Sequence, residues 1–155
     1  MIRPDVGDLI AVNATGKYYY ALLLSKARLF GAPLVFAFHR TSATPLTADQ
    51  VVEGNGPGFH EFVDFIWAKR ENRVLRIASK VDTRPFDTVR HFKNTHTTKG
   101  KATLWFICDQ SFKEIRRTER LTVEEKAYPL LHRIDDILMC DLINQQWTPA
   151  KDERI

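Results

Sequence analysis

The stretch that decides the fold begins GDLIAV at residues 7–12, turns through NATG at 13–16 and returns as KYYYALLL at 17–24. Aliphatic, aromatic and β-branched side chains dominate both runs, and Asn and Gly stand between them, which is the pattern of a β-hairpin. The second run is apolar throughout, so we expect a central strand that is covered on both faces or strongly bent. The hairpin predicts the start of a curved antiparallel sheet.

Further runs predict the other strands of that sheet. Residues 34–39 are rich in β-forming side chains and follow Pro33. Thr47 is placed to cap a single helical turn in the otherwise irregular segment 45–58. The remaining predicted strands are 59–67, 73–80, 102–108 and its hairpin partner 112–121, and the aromatic spacing in the first of these leaves a helix open.

The C-terminal third indicates helix. Thr122 and Glu125 have the spacing of a capping box, and Pro129 should kink the helix that follows or begin a second one. Beyond it, apolar side chains recur at roughly helical spacing, namely Leu130, Ile134, Ile137, Leu138 and Leu142. The predicted fold class is α+β: a bent antiparallel β-sheet, a partly open SH3-like barrel, with an amphipathic C-terminal helix packed on it.

The chain length fits a single domain over 1–155. Residues 81–101 combine Pro85, two histidines, five threonines and Gly100 without apolar periodicity. We expect them to form a long, mobile, basic loop, because long loops in compact domains are usually functional or disordered. We expect 148–155 to be a loose tail.

The cysteines and the apolar runs indicate a cytoplasmic protein. Cys108 and Cys140 each lie in an apolar run, and neither has a partner at metal-ligand spacing. We expect two buried free thiols in a reducing compartment, with a disulfide as the alternative. No run approaches the ~20 apolar residues of a membrane span, and the N-terminal residues lack the apolar core of a signal peptide.

Charge is distributed unevenly along the chain. The net charge is +4, but residues 67–101 carry ten basic and three acidic side chains, whereas the segments on either side are net negative. A local basic patch can steer an acidic partner or a phosphate backbone towards the protein.

No pattern typical of catalysis or of a cofactor site is found. His91 and His96 have no cysteine or carboxylate to complete a zinc set. Asp109 could be grouped with His132 or Cys108 as a nucleophilic catalytic set, but the sequence has no nucleophile elbow to support that set. The glycine-rich segment 54–58 lacks the Lys-Ser/Thr of a P-loop. We therefore predict a protein that is not an enzyme and holds no cofactor or metal, and we keep a small enzyme with an unrecognised site as a third alternative.

The basic stretch carries the functional signal. It mixes cations with aromatic rings, which suits a solvated face, a protein-binding surface or a nucleic-acid site. Our predicted partner-binding residues are Trp67, Arg70, Arg73, Arg76, Arg84, Arg90 and Lys93. The Arg side chains would pair with carboxylates, bidentate where geometry allows.

The N-terminal pattern resembles the immunity protein 26 family of bacterial polymorphic-toxin and contact-dependent inhibition systems. The likeness rests on GDLIAV at 7–12, the turn to Gly16, the aromatic-bearing run 17–24 and the apolar run 34–38. It implies a small cytoplasmic protein that neutralises a cognate toxin C-terminal domain by stoichiometric binding, covering the toxin's active site or substrate groove. The basic patch would suit an acidic toxin face; a basic toxin would instead meet the acidic side chains Asp135, Asp136 and Asp141.

The alternative function is a single-stranded nucleic-acid binding module that uses the basic segment 67–101. Salt dependence separates the two, because nucleic-acid binding weakens steeply and log-linearly with salt.

Overall fold

The structure is a computed structural model that describes residues 3–53 and 56–155. Contacts between Cα atoms group the chain into two compact units, Met1–Thr88 with Arg133–Trp147, and Val89–His132 with Thr148–Ile155. The sequence did not predict this division, and folding of 1–155 as a single domain stays a prediction. The glycine-rich turn expected at 54–58 lies partly outside the described residues.

The elements follow one another along the chain in mixed α+β order. They are β1 (Leu9–Ala14), β2 (Lys17–Leu29), β3 (Ala32–Ser42), α1 (Ala48–Val52), β4 (Gly58–Asp64), α2 (Ile66–Arg70), β5 (Val74–Ala78), β6 (Phe92–Thr98), β7 (Lys101–Cys108), β8 (Glu114–Thr118), α3 (Val123–Lys126), β9 (Arg133–Asp135), α4 (Asp136–Asn144) and a short 3₁₀ helix (Pro149–Lys151).

The first unit is built on a six-stranded sheet with the order β5-β1-β2-β3-β4-β9. Neighbouring strands are antiparallel except β4 and β9, which are parallel. Within the described ranges β5 and β9 are the two edge strands of this sheet, and the sheet does not close into a barrel. The predicted α+β class, with a partly open sheet and a C-terminal helix, is confirmed.

The predicted first hairpin is confirmed. Leu9 pairs with Leu22 and Ala14 pairs with Lys17, so only two residues separate the strands. Thr15 and Gly16 occupy that turn with φ of 52° and 76°. Two consecutive positive φ values give the twist that a two-residue hairpin needs.

The strand β2 is central and covered on both faces, as its continuous apolar run predicts. Alternate residues point to opposite sides of a strand, and here both sides are apolar. Tyr19, Ala21 and Leu23 join a cluster with residues of β1, β3, β4 and α4. Tyr20, Leu22 and Leu24 join a second cluster with Phe38, Val51 and Phe86.

The predicted strand 59–67 is too long. β4 ends at Asp64, and the helical turn α2 begins at Ile66. Phe65 and Ala68 are both buried, which is the i, i+3 spacing of a helix face. The Asp64 carboxylate accepts the Ile66 N–H at 2.9 Å and so helps to start that turn.

The second unit contains the three-stranded antiparallel sheet β6-β7-β8 and the helix α3. The capping box predicted at Thr122 and Glu125 is present, and the Glu125 carboxylate also pairs with Arg116. The helix ends at Lys126, before Pro129, whose carbonyl accepts the Lys93 N–H at 2.9 Å.

The prediction of a long loop over 81–101 is wrong for its second half. Residues 92–98 form β6, which pairs with β7 from Phe92↔Cys108 to Thr98↔Lys101. Lys99 and Gly100 make the turn with φ of 53° and 77°. A threonine-rich polar run is therefore a strand here, because β-branched residues fit a pleated surface even without apolar alternation.

The predicted helix through Leu130 and Ile134 is also wrong. Both residues are buried, but 133–135 is the strand β9, whose backbone pairs with β4, and the helix α4 begins only at Asp136. Asp135 caps it by accepting the Leu138 N–H at 2.8 Å. The buried face of α4 is Met139, Cys140 and Ile143, whereas Ile137 and Leu138 are exposed.

The last residues are not a loose tail. They contain the 3₁₀ helix Pro149–Lys151, with Pro149 buried. The Asp152 carboxylate accepts two hydrogen bonds from the Arg154 guanidinium, at 2.9 and 2.6 Å. Hydrogen bonds to Pro149 and ion pairing at Asp152 hold this segment in the second unit.

Cys108 and Cys140 are free and buried, as expected. Burial raises the pKa of Cys140 to about 12, so its thiol stays protonated at neutral pH. In the part of the chain that the structure describes, no helix has the length and apolarity to cross a membrane.

Candidate binding surface

The short helix α2 presents an aromatic side chain and a cation to solvent. Phe65 and Ala68 face the core, so helical geometry turns the intervening Trp67 outwards. The Trp67 side chain is 60% exposed, and the Arg70 guanidinium carbon lies 5.1 Å from its ring centroid. A cation at this distance is attracted by the negative face of the ring. The predicted contacts Trp67 and Arg70 therefore form one exposed pair.

Arg73 lies at the entrance to β5 and is engaged within the first unit. Its Nη1 donates to the Asp136 carboxylate at 2.8 Å, and its Nε donates to Glu71 at 2.6 Å. Burial lowers the pKa of Arg73, but the hydrogen bonds to Asp136 and Glu71 outweigh that effect and raise it. Asp136 is only 1% exposed. The expectation that it is one of the acidic surface side chains that a basic toxin would meet is therefore wrong. Arg73 mainly neutralises this buried carboxylate.

Arg76, on β5, is also engaged by other groups of the first unit. Its Nε lies 3.1 Å from a carboxylate oxygen of the buried Asp8, and its Nη2 donates to the Arg3 carbonyl at 3.0 Å. The same Asp8 oxygen accepts the Asp5 N–H. Arg76 therefore ties the segment before β1 to the edge strand of the sheet.

Arg84 and Arg90 are exposed, but they lie in different units. Arg84 makes two hydrogen bonds to the Asp82 carboxylate, both at 2.9 Å, and this pairing raises the pKa of Arg84. Arg90 Nη1 donates to the Val89 carbonyl at 3.0 Å. The basic segment 67–101 is thus divided between the two units.

Lys93 is not on a basic loop, because it is fully buried. Its Nζ donates to the carbonyls of Lys126 and Pro149 at 2.5 and 2.7 Å. It also lies 5.7 Å from the Trp105 ring centroid. Burial lowers the pKa of Lys93 to about 8. The expectation that this ammonium is available to a partner is corrected: it is a structural group of the second unit.

The sheet of the second unit exposes a face that sequence analysis did not single out. Asn94, Phe106 and Arg117 are cross-strand neighbours on β6, β7 and β8. The Arg117 guanidinium carbon lies 5.3 Å from the Phe106 ring centroid, and the His96 ring lies 5.0 Å from it. The alternation of buried Trp105 and Ile107 with half-buried Leu104 and Phe106 was a signal for such a face.

The histidines serve mainly local packing. His39 contacts the Trp147 carbonyl at 2.7 Å, and His60 contacts the Phe86 carbonyl at 2.6 Å. Burial lowers the pKa of His60. His91 stacks on Tyr128 at 5.2 Å. Within 3–53 and 56–155, no three His, Cys, Asp or Glu side chains are grouped so that they could hold a metal ion.

Sequence reasoning missed three further cations of the first unit. Arg3, Arg28 and Lys69 line a common cavity of about 210 Å³, together with Asp64. They are far apart along the chain, and only the placement of the segment before β1, the end of β2 and α2 brings them together. No local sequence signal could have grouped them.

Comparison with family models, with curated proteins and with solved structures found no match to this chain. The resemblance to the immunity protein 26 family stays a prediction.

Proposed function

We propose that this chain is an immunity protein that neutralises a cognate bacterial toxin domain by direct stoichiometric binding. It would act in the cytoplasm and cover the toxin's active site or substrate groove. The observation that carries the proposal is the exposed Trp67–Arg70 pair on α2. Trp and Arg are the side chains most enriched among binding hot spots, because they combine a large contact area with directed polar groups.

The setting of the pair supports this role. Ile66, next to Trp67, is 41% exposed, so an apolar edge adjoins the aromatic ring. The helix follows directly on β4, and its inner face is anchored by buried Phe65 and Ala68. A surface held on a rigid scaffold loses little conformational entropy when it binds.

Charge indicates the chemistry of the partner. The chain carries a net charge of +4, and Lys69 and Arg70 follow Trp67 in the last turn of α2. Complementary charge accelerates association and disfavours wrong partners. The toxin face that meets α2 should therefore be acidic around an apolar or aromatic centre.

The test is affinity capture of the tagged chain from its native cell at moderate salt, after nuclease digestion. We expect one stoichiometric protein, the C-terminal domain of a large secreted protein encoded nearby, whose toxicity is lost at a 1:1 ratio. The double variant Trp67→Ala/Arg70→Glu should bind at least about tenfold more weakly, since hot-spot truncations cost about 2 kcal/mol or more.

Arg120→Glu is the charge-matched control, because Arg120 is exposed and lies on the other unit. It should capture the partner as the wild type does. If the wild type and the double variant captured the partner equally well, α2 would not be part of the toxin-binding surface. Failure to capture any stoichiometric protein would contradict the immunity function.

Single-stranded nucleic-acid binding is the second candidate. The face with Phe106, His96 and Arg117 favours it, because rings stack on bases and cations meet phosphates. On this alternative, an unstructured oligonucleotide would bind with an affinity that falls log-linearly with salt, and Phe106→Ala would weaken it. Binding of the toxin partner would instead depend on Trp67.

A further inference from the structure

The cavity beside α2 joins three separate parts of the first unit. Arg3 comes from the segment before β1, Arg28 from the end of β2, and Lys69 from α2. Its volume is about 210 Å³, below the roughly 300–1,000 Å³ of drug-sized pockets, so it fits a small ligand or a single functional group.

No ion pair among the described residues neutralises the three cations of the cavity. In the part of the chain that the structure describes, neither the guanidinium groups of Arg3 and Arg28 nor the ammonium of Lys69 forms an ion pair or a side-chain hydrogen bond. Most arginines elsewhere are paired, for example Arg73, which contacts Asp136. Like charges that face one cavity repel each other, and a bound anion would relieve that repulsion.

The acidic side chain that lines the cavity, Asp64, is already engaged. Asp64 accepts the Ile66 N–H through Oδ1 at 2.9 Å, and its Oδ2 lies 3.7 Å from Arg133 Nη1. Arg133 is held in place by donating to the Phe30 carbonyl at 2.9 Å. Its positive charge offsets the negative charge of Asp64, so Arg3, Arg28 and Lys69 leave the cavity with a net positive charge.

The cavity also offers apolar contact. Phe65 and Pro33 line it, and both are buried residues of the first unit. A cavity lined by both cations and apolar side chains is suited to a ligand with an anionic head and a small organic body.

We propose that this cavity binds the phosphate group of a small organic phosphate. A phosphate dianion matches several cations better than a single carboxylate does, and guanidinium forks match its tetrahedral oxygens with paired hydrogen bonds. Arg28 and Arg3 contact the oxygens, Lys69 supplies a further charge, and the organic part lies against Phe65. The inference goes beyond the proposed function and does not depend on it.

Isothermal titration with inorganic phosphate and with phenyl phosphate, at matched ionic strength in chloride buffer, tests the proposal. We expect saturable 1:1 binding, tighter for phenyl phosphate because its ring can contact Phe65 and Pro33. Arg28→Gln and Lys69→Gln should each weaken binding at least about tenfold, as expected when a charged hydrogen bond is lost. Arg28→Lys, which keeps the charge, should retain part of the affinity.

Arg40→Gln is the control, because Arg40 is exposed on β3 of the same unit and does not line the cavity. Far-UV circular dichroism of each variant establishes that it folds. Absence of saturable binding would overturn the proposal, as would equal weakening by Arg40→Gln. Malonate binding as tightly as phosphate would overturn the assignment to phosphate. None of these outcomes bears on toxin binding through Trp67, so the two proposals fail separately.

Discussion

At the scale of single residues, buried charge distinguishes this protein. Lys93 is fully buried, and two backbone carbonyls accept from its Nζ. Asp136 is buried beside Arg73 on the other unit. A buried charge is costly unless it is paired or hydrogen-bonded, so each of these groups connects segments that are distant in sequence. Of the two, Lys93 is easier to test, because its lowered pKa predicts that the free energy of unfolding changes measurably with pH.

Lys93 should make stability rise with pH above 8. Burial lowers its folded pKa to about 8, against 10.5 in the unfolded chain. Between these values the unfolded state binds more protons than the folded state, so the free energy of unfolding increases with pH. Relative to Lys93→Met, the wild type should gain roughly 1 kcal/mol or more across this interval, since one pKa unit corresponds to about 1.4 kcal/mol.

Urea denaturation at several pH values between 7 and 10.5 measures this difference. Lys113→Met is the matched control, because Lys113 is exposed in the same unit and should leave the wild-type pH profile unchanged. Parallel profiles for wild type and Lys93→Met would show that Lys93 does not lose its proton in this range.

At the scale of elements, the helices are too short to be stable by themselves, and side chains cap the first turns of α1, α3 and α4. Both α1 and α3 begin with a complete capping box, at Thr47 and Thr122. Isolated helices of this length are marginal in water, so caps and packing must hold them. In α3 the capping Glu125 has a second role, because it also accepts from Arg116 on β8.

Thr122→Ala should lower the free energy of unfolding by about 1 kcal/mol, the usual cost of losing an N-cap hydroxyl. The Glu125 N–H, which bonds the Thr122 hydroxyl at 3.1 Å, would lose its acceptor. Thr122→Ser keeps the hydroxyl and should retain most of the stability in the same urea titration. If Ser and Ala were equally destabilising, the loss would come from the methyl group and not from the cap.

At the scale of the whole molecule, each of the two units is assembled from two stretches of chain. The segment Arg133–Trp147 supplies β9 and α4 to the first unit, and Thr148–Ile155 returns to the second. The second unit is also smaller than the roughly 60 residues at which a domain's own core becomes marginal. We therefore expect the chain to unfold as one domain.

Two probes in one variant test that expectation. In Trp67→Phe/Trp147→Phe the only tryptophan left is Trp105, which reports on the second unit, while far-UV circular dichroism reports on the entire chain. The two urea transitions should coincide, which is the standard criterion of a two-state unfolding. Separate midpoints would mean that the units unfold independently.

The candidate site was only partly predictable. Trp67 and Arg70 stand close together in sequence, and an aromatic beside cations is a local pattern, so they were predicted and the structure brings them together. Arg73, Arg76 and Lys93 share that pattern, yet each is engaged by Asp136, Asp8 or backbone carbonyls far along the chain. Charge clustering in sequence does not reveal whether a cation is exposed or already paired.

The sequence by itself determined the first hairpin, the central position of β2, the α+β class and the caps at Thr47 and Thr122. Each of these depends on interactions within a few residues or on the period of apolar side chains, both of which are visible in sequence. Only the tertiary structure decided that 92–98 is a strand, that 133–135 joins β4, that Asp136 is buried, and that Arg3, Arg28 and Lys69 share a cavity. Those outcomes depend on long-range backbone pairing and on which charges meet in space, and hydrogen bonds and ion pairs between distant segments leave no periodic trace in the chain.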